Sequence, residues 1–205
     1  MRIPFLGQEG CCRVCGRSVE NAVGGFVCEE CRRSVPSYDA AASAVVFEDE
    51  ARSLLLKYKS GEGVWLKDDF VDWIEAAARA RYDLAQVDAV VPMPVTLFHR
   101  IDRGYNQCVY LARSLAKRID RVCLESAVAR CGHPKRQAGL SEEERRENVI
   151  GTFKAVGPES VRGRTILLLD DVMATGSTLS ECAKTLKEAG AWRVWGVTLE
   201  RSVPG

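Results

Sequence analysis

Two adjacent carboxylates, Asp170 and Asp171, close the apolar run Thr165–Leu169 and are the residues of this sequence best placed to do chemistry. A continuous apolar run of that length is expected for a central parallel strand buried on both faces. Such a strand would deliver both aspartates to the carboxyl edge of its sheet, where open α/β folds bind their ligands. Side by side, two ionised carboxylates repel. Hydroxyls of a sugar, or a hydrated divalent cation, would offset the repulsion. The next residues, Ala174-Thr175-Gly176-Ser177-Thr178, read as a turn from strand into helix. Gly176 lets the backbone approach a ligand closely, three hydroxyls add donors, and the positive end of the helix favours a phosphate. The order is therefore carboxylates for a ribose, then amides for its 5′-phosphate. An ordinary turn in which Ser177 and Thr178 merely cap a helix leaves the paired aspartates unexplained.

Two basic constellations accompany that loop. Val90-Val-Pro-Met-Pro94 is followed by Arg100 and by Arg103-Gly-Tyr-Asn-Gln107. Arg100 and Arg103 could grip a pyrophosphate through charge-assisted bonds; alternatively they are solvated, with Asn106 as a helix cap. The segment Arg130–Asn148 holds Lys135, Arg136, Gln137, Arg145 and Arg146. It reads either as a loop that closes over an anion or as an exposed loop leading into a helix whose Glu142–Glu144 favour its N-terminus.

The third feature is Cys12-Arg-Val-Cys15 with Cys28-Glu-Glu-Cys31, two C-x2-C pairs among nine cysteines. Four thiolates at these spacings close a tetrahedral structural zinc site, and a segment with so few core residues needs the metal to fold. Cys11 could replace Cys12 as a ligand. Cys108, Cys123, Cys131 and Cys182 are scattered and read as small core or surface residues. Two histidines, His99 and His133, are too few for a histidine-rich catalytic metal site.

These groups need a scaffold. The 205 residues, 46% hydrophobic and 28% charged, suit one globular domain with a small appendage. The net charge of +1 forces neither a nucleic-acid nor a membrane partner. No apolar run is long enough to span a bilayer and no secretory signal is evident, so a cytoplasmic location is expected. Residues 1–36 form the cysteine module, and the domain of residues 40–205 follows a short linker. Periodicity predicts a strand at Ala42–Phe47, helices near Asp49–Lys59 and Lys67–Tyr82, and a strand at Val87–Val91. A helix is expected from about Asn106 to Ile119, with Leu111, Leu115 and Ile119 on one face. Beyond the acidic pair come a helix at Ser177–Ala189, stopped by Gly190, and a strand at Val194–Leu199. Alternating strands and helices mark an α/β fold with a mostly parallel sheet. No G-x4-G-K-[ST] loop occurs, which argues against an ATPase.

The acidic pair and its turn resemble the phosphoribosyl pyrophosphate signature of type I phosphoribosyltransferases, with Ala174 where threonine is usual. Together with the four cysteines, Pro92-Met-Pro94, Arg103–Gln107 and Gln137–Asn148, the chain resembles the ComF family of competence proteins over nearly its whole length. The resemblance implies a zinc-ribbon-like module joined to a type I phosphoribosyltransferase fold, and a link to DNA uptake in natural transformation. It implies that Asp170 and Asp171 hold ribose hydroxyls, that Ala174–Thr178 hold the 5′-phosphate, and that Mg2+ accompanies phosphoribosyl pyrophosphate. Gly132 and Pro134 depart from the arginine and threonine frequent in relatives. Two activities fit: transfer of the phosphoribosyl group to a nitrogen nucleophile, with no acid or base residue assigned, or sensing of phosphoribosyl pyrophosphate by a module that engages single-stranded DNA or an uptake protein.

Overall fold

A computed structural model of the chain describes residues 10–19, 25–95, 106–131, 144 and 147–202. After the short helix α1 (Glu29–Arg33) come β1 (Ala40–Val46), α2 (Asp49–Ser60), α3 (Lys67–Arg81), β2 (Ala89–Pro92) and α4 (Gln107–Arg118). They are followed by β3 (Val122–Cys123), β4 (Val128–Arg130), β5 (Phe153–Ala155), β6 (Thr165–Met173), α5 (Ser177–Glu188) and β7 (Arg193–Arg201). Five strands in the order β1-β7-β6-β2-β3 make one parallel sheet, and β4 pairs with β5 in a separate antiparallel ribbon. This is the α/β architecture the alternating pattern predicts.

The sheet is built around β6, which pairs with β2 on one side and β7 on the other. Ile166, Leu167, Leu168 and Leu169 are all fully buried, as a strand covered on both faces requires. Burial of each contributes about 2 kcal/mol. Helix α3 buries Phe70, Val71, Ile74, Ala77 and Ala78 and packs on β1, β7 and α4, whereas α5 packs against β6, β7 and the ribbon. The end of α3 is pinned to β7 by Tyr82. Its ring stacks on Trp195 at 4.8 Å between centroids and its hydroxyl donates to the Gly196 carbonyl at 2.7 Å. In α4, Leu111 and Leu115 are buried, and Ile119 at the C-cap is nearly so. The four-residue spacing selects that face.

Two elements run further than hydropathy suggests. β6 continues through the acidic pair to Met173, and β7 continues through Glu200 to Arg201. Each strand supplies the other's edge: Asp170 pairs with Thr198, Val172 with Glu200 and Met173 with Arg201. Charged residues conceal these ends in the sequence, yet Glu200 and Arg201 are buried. β3, β4 and β5 were not expected, since two or three residues are too few to show a period.

The cysteine segment packs on the end of this sheet. Ala41 N–H donates to the Val14 carbonyl at 2.7 Å, and the buried Arg201 guanidinium donates to the Cys15 carbonyl at 2.6 Å. Gly16 has φ +70°, and a Cβ there would lie 2.6 Å from the Ala41 carbonyl oxygen, so this contact needs glycine. Among the described residues no helix is long and apolar enough to cross a membrane.

Candidate functional site

β2 pairs with β6 only as far as Pro92 opposite Leu169. Beyond that point Asp170 and Asp171 keep β7 as a neighbour on one side and open onto the N-terminus of α4 on the other. Asn106 caps α4, its Oδ1 accepting from Cys108 N–H at 2.9 Å, while its Nδ2 donates to the Met93 carbonyl at 3.1 Å. These two hydrogen bonds tie α4 to the end of β2 and set Gln107 and Cys108 against the aspartates. Gln107 Nε2 donates to Asp171 Oδ2 at 2.6 Å. The Cys108 thiol donates to Asp170 Oδ1 at 3.8 Å, and Asp171 N–H reaches the same oxygen at 2.9 Å.

The two carboxyls are made unlike by their neighbours. Lys59, in the last turn of α2, places Nζ 2.9 Å from Asp171 Oδ2. Burial works against ionisation of Asp171, but the Lys59 ammonium and the Gln107 amide outweigh it and hold the carboxyl below its ordinary range. Among the described residues Asp170 has no such cation in contact. Burial, with the Asp171 charge beside it, pushes its pKa up to about 7. The Arg130 guanidinium, over the Phe153 ring at 5.3 Å, acts on Asp170 from a distance. Near neutral pH the site thus presents an ionised acceptor next to a carboxyl able to donate as well as accept.

The turn that follows has the form expected for an anion. Gly176 occupies the N-cap position of α5 with φ +81° and has no side chain with which to cap the helix. Ser177 and Thr178 are the first two residues of the helix and neither is its N-cap. Thr175 Oγ1 lies 2.8 Å from Ser177 Oγ and accepts from Ser177 N–H at 3.3 Å. A cavity of about 270 Å³ lies over the turn, lined by Thr175, Gly176, Ser177 and Ser180 and walled by Ser34, Pro36 and Tyr38 from the segment after α1. Ser37 N–H donates to Ser180 Oγ at 2.9 Å and holds that wall in place.

On the other side of Tyr38 the sulfurs of Cys12, Cys15, Cys28 and Cys31, all buried, lie within 4.8 Å of one another. Four sulfurs about 2.3 Å from a tetrahedral zinc would be about 3.8 Å apart, and Cys15 Sγ and Cys28 Sγ are separated by 3.7 Å. Val14 and Cys28 N–H groups point at Cys12 Sγ from 3.4 and 3.3 Å, as amides do toward a thiolate. Arg201 Nη2 stands 3.7 Å from Cys15 Sγ. The donor set fits a zinc ion. Cys11 instead forms a bridge with Ser18 outside this cluster.

The acidic pair and the turn Ala174–Thr178 thus share one edge of the sheet. Arg100, Arg103, Lys135, Arg136, Gln137, Arg145 and Arg146 lie outside the described residues. Sequence reasoning missed Lys59, which reads only as a basic last-turn residue and meets Asp171 through the tertiary fold. Gln107 ends a recognised motif and Cys108 follows it, but neither gave a sign of facing the aspartates.

A phosphoribosyl transferase domain model matches residues 105–199. Competence protein F of Haemophilus influenzae is 31% identical over 176 residues, covering 83% of this chain and 77% of that protein. The DNA utilization protein YhgH of Escherichia coli K12 is 26% identical, covering 93% and 90%. An adenine phosphoribosyltransferase from Thermoanaerobacter pseudethanolicus, 14% identical, superposes with a TM-score of 0.42 over 69% of this chain and 83% of its own. Sheet order, acidic pair and matched model define a protein with a type I phosphoribosyltransferase domain. With a cysteine cluster packed on that domain and a relative of this closeness, the chain belongs to the competence protein F (ComF) family.

Proposed function

We propose that this protein binds phosphoribosyl pyrophosphate with Mg2+ at the carboxyl edge of the sheet, in the service of DNA uptake. Asp170 and Asp171 take the ribose hydroxyls, Ala174–Thr178 the 5′-phosphate, and Arg100 and Arg103 the pyrophosphate. The observation that carries this reading is the acidic pair opening onto the α4 N-terminus, followed five residues on by a left-handed glycine at the N-cap of α5. Asp171, ionised beside Lys59, accepts from one hydroxyl, and Asp170 exchanges hydrogen bonds with the other. Bound with the ligand, Mg2+ would neutralise charge on the departing pyrophosphate. Residues 1–36 act as a zinc module through Cys12, Cys15, Cys28 and Cys31, and residues 40–205 as the ligand domain. The names of the relatives, a competence protein and DNA utilization proteins, support the biological setting.

Calorimetry with phosphoribosyl pyrophosphate and Mg2+ tests the reading. Binding is expected in the wild type and not in the Asp170→Asn/Asp171→Asn double variant, and equal binding by both would overturn it. A second reading, ligand sensing without transfer, is favoured by the engagement of Asp171 Oδ2 by both Lys59 and Gln107. In that case the zinc module or a basic face engages single-stranded DNA or an uptake protein. Pyrophosphate release in a screen of nucleobases selects the transferase. Binding without release, with salt-sensitive retention of single-stranded DNA, selects the sensor.

A further inference from the structure

Tyr38 carries a hydroxyl into a place where a buried donor needs a partner. The residue is 3% exposed, and among the described residues nothing accepts from its Oη. A buried donor left unmade is costly, so the position calls for a use. Its place is fixed from both sides. Ser37 N–H donates to Ser180 Oγ at 2.9 Å. Asp39 N–H donates to the Val194 carbonyl at 2.8 Å, and Asp39 Oδ2 accepts from Val194 N–H at 2.8 Å. Between these ties the phenol reaches the start of α5, where a Cβ on Gly176 would stand 2.9 Å from Tyr38 Oη. Tyr38 lines the cavity over the turn together with Thr175, Ser177 and Ser180. Ser180 Oγ is an acceptor toward Ser37 and so keeps its own proton to give. Thr175 and Ser177 share one hydrogen bond between their hydroxyls, which leaves a further proton. The carboxylate beside them, Glu181, is engaged through Oε1 by Gly151 N–H at 2.9 Å.

We propose that Tyr38 is a binding residue for a phosphate monoester: its hydroxyl donates to a phosphate oxygen held at the amino end of α5, with Ser180 as a second donor. The helix end supplies free N–H groups and a positive dipole. The phosphate supplies the charged acceptor that the phenol lacks in the ligand-free protein. A phenol ordinarily ionises near pH 10 and burial pushes that value higher. At neutral pH the group therefore donates and adds no negative charge against the anion. Tyr38 lies outside the matched phosphoribosyl transferase domain, residues 105–199. The segment that leaves the cysteine cluster thus completes the phosphate site as well as walling it. The assignment rests on the placing of the 5′-phosphate at Ala174–Thr178 proposed above.

Tyr38→Phe tests this, since it keeps the buried ring and removes only the hydroxyl. Ligand-free, the variant should melt at the wild-type temperature or above it, because no hydrogen bond within the protein is lost. Calorimetry with phosphoribosyl pyrophosphate and Mg2+ should show its affinity lowered about tenfold or more, the loss expected for one hydrogen bond to a charged acceptor. Wild-type affinity in Tyr38→Phe overturns the role of the phenol and leaves the proposed function standing. Weaker binding that comes with a lower melting temperature also overturns it, because the hydroxyl then serves packing. Inorganic phosphate, compared with chloride at equal ionic strength, separates the two readings if the wild type does not bind phosphoribosyl pyrophosphate. A rise in wild-type melting temperature with phosphate that is lost in Tyr38→Phe then keeps the phenol's role and overturns the proposed ligand. A wild type that responds to neither probe overturns both.

Discussion

Gly176 is where backbone conformation, packing and ligand geometry meet, so Gly176→Ala gives the sharpest forecast. Its φ of +81° places it in the left-handed region, where an L-residue costs about 1–2 kcal/mol. The added Cβ would also lie 2.9 Å from Tyr38 Oη and 3.1 Å from Met173 Cε. Tyr38 and Met173 are both nearly fully buried, so neither can step aside freely, and overpacking of this kind costs a further ~1 kcal/mol or more. The sum, about 2–3 kcal/mol, corresponds to a fall in Tm of roughly 4–12 °C for a chain of this size. Tyr38→Phe removes the closest atom. The pair Gly176→Ala/Tyr38→Phe should therefore recover the steric share and keep the conformational one. Differential scanning calorimetry reads both shares. Titration with phosphoribosyl pyrophosphate should show binding weakened at least about tenfold, because the amides of the turn move together. Wild-type melting and wild-type affinity in Gly176→Ala would refute the claim that the left-handed turn builds this site.

Three further outcomes follow from individual contacts. Asn106→Ala removes the α4 cap and the tie to Met93. It should cost about 1–2 kcal/mol in urea denaturation and weaken ligand binding by displacing Gln107. The raised pKa of Asp170 means that the folded state holds its proton more tightly than the unfolded chain between pH 3.8 and about 7. Its contribution to stability is therefore present below pH 3.8 and is lost as pH rises through about 7. Asp170→Asn should flatten the fall in denaturation midpoint over that window, and an unchanged slope would place the titrating group elsewhere. Cys28→Ser should lower the zinc content, measured by atomic emission, from one ion per chain toward none. The same variant should melt lower, because the cysteine segment shares its apolar cluster with Tyr38 and the sheet.

Much of this molecule is legible in the sequence because local rules and tertiary demands coincide. The run Thr165–Leu169 has the continuous apolar character of a doubly covered strand, and its leucines are fully buried. The spacing of Leu111, Leu115 and Ile119 can only serve a helix with one buried face. The two C-x2-C pairs bring four sulfurs together because each short turn presents its two thiols to one point. Asp170, Asp171 and the turn through Gly176 are contiguous, so their shared place at the sheet edge follows once the strand is recognised.

Other features depend on approaches between distant segments. Lys59 meets Asp171 only because α2 ends above the edge of β6. Tyr38 walls the turn through Gly176 only because the cysteine segment packs on the sheet end through Arg201 and Gly16. Glu200 and Arg201, charged and next to the C-terminus, look like residues beyond the last strand, yet the pairing of β7 with β6 buries them both. Periodicity reports burial only where the buried side chains are apolar. A buried charge is placed by its partners, and those partners are neighbours in space rather than along the chain. The sequence by itself therefore determined the strand, the turn, the acidic pair and the cluster of four sulfurs. Only the tertiary structure decided which cation guards the acidic pair and that Glu200 is buried in the sheet.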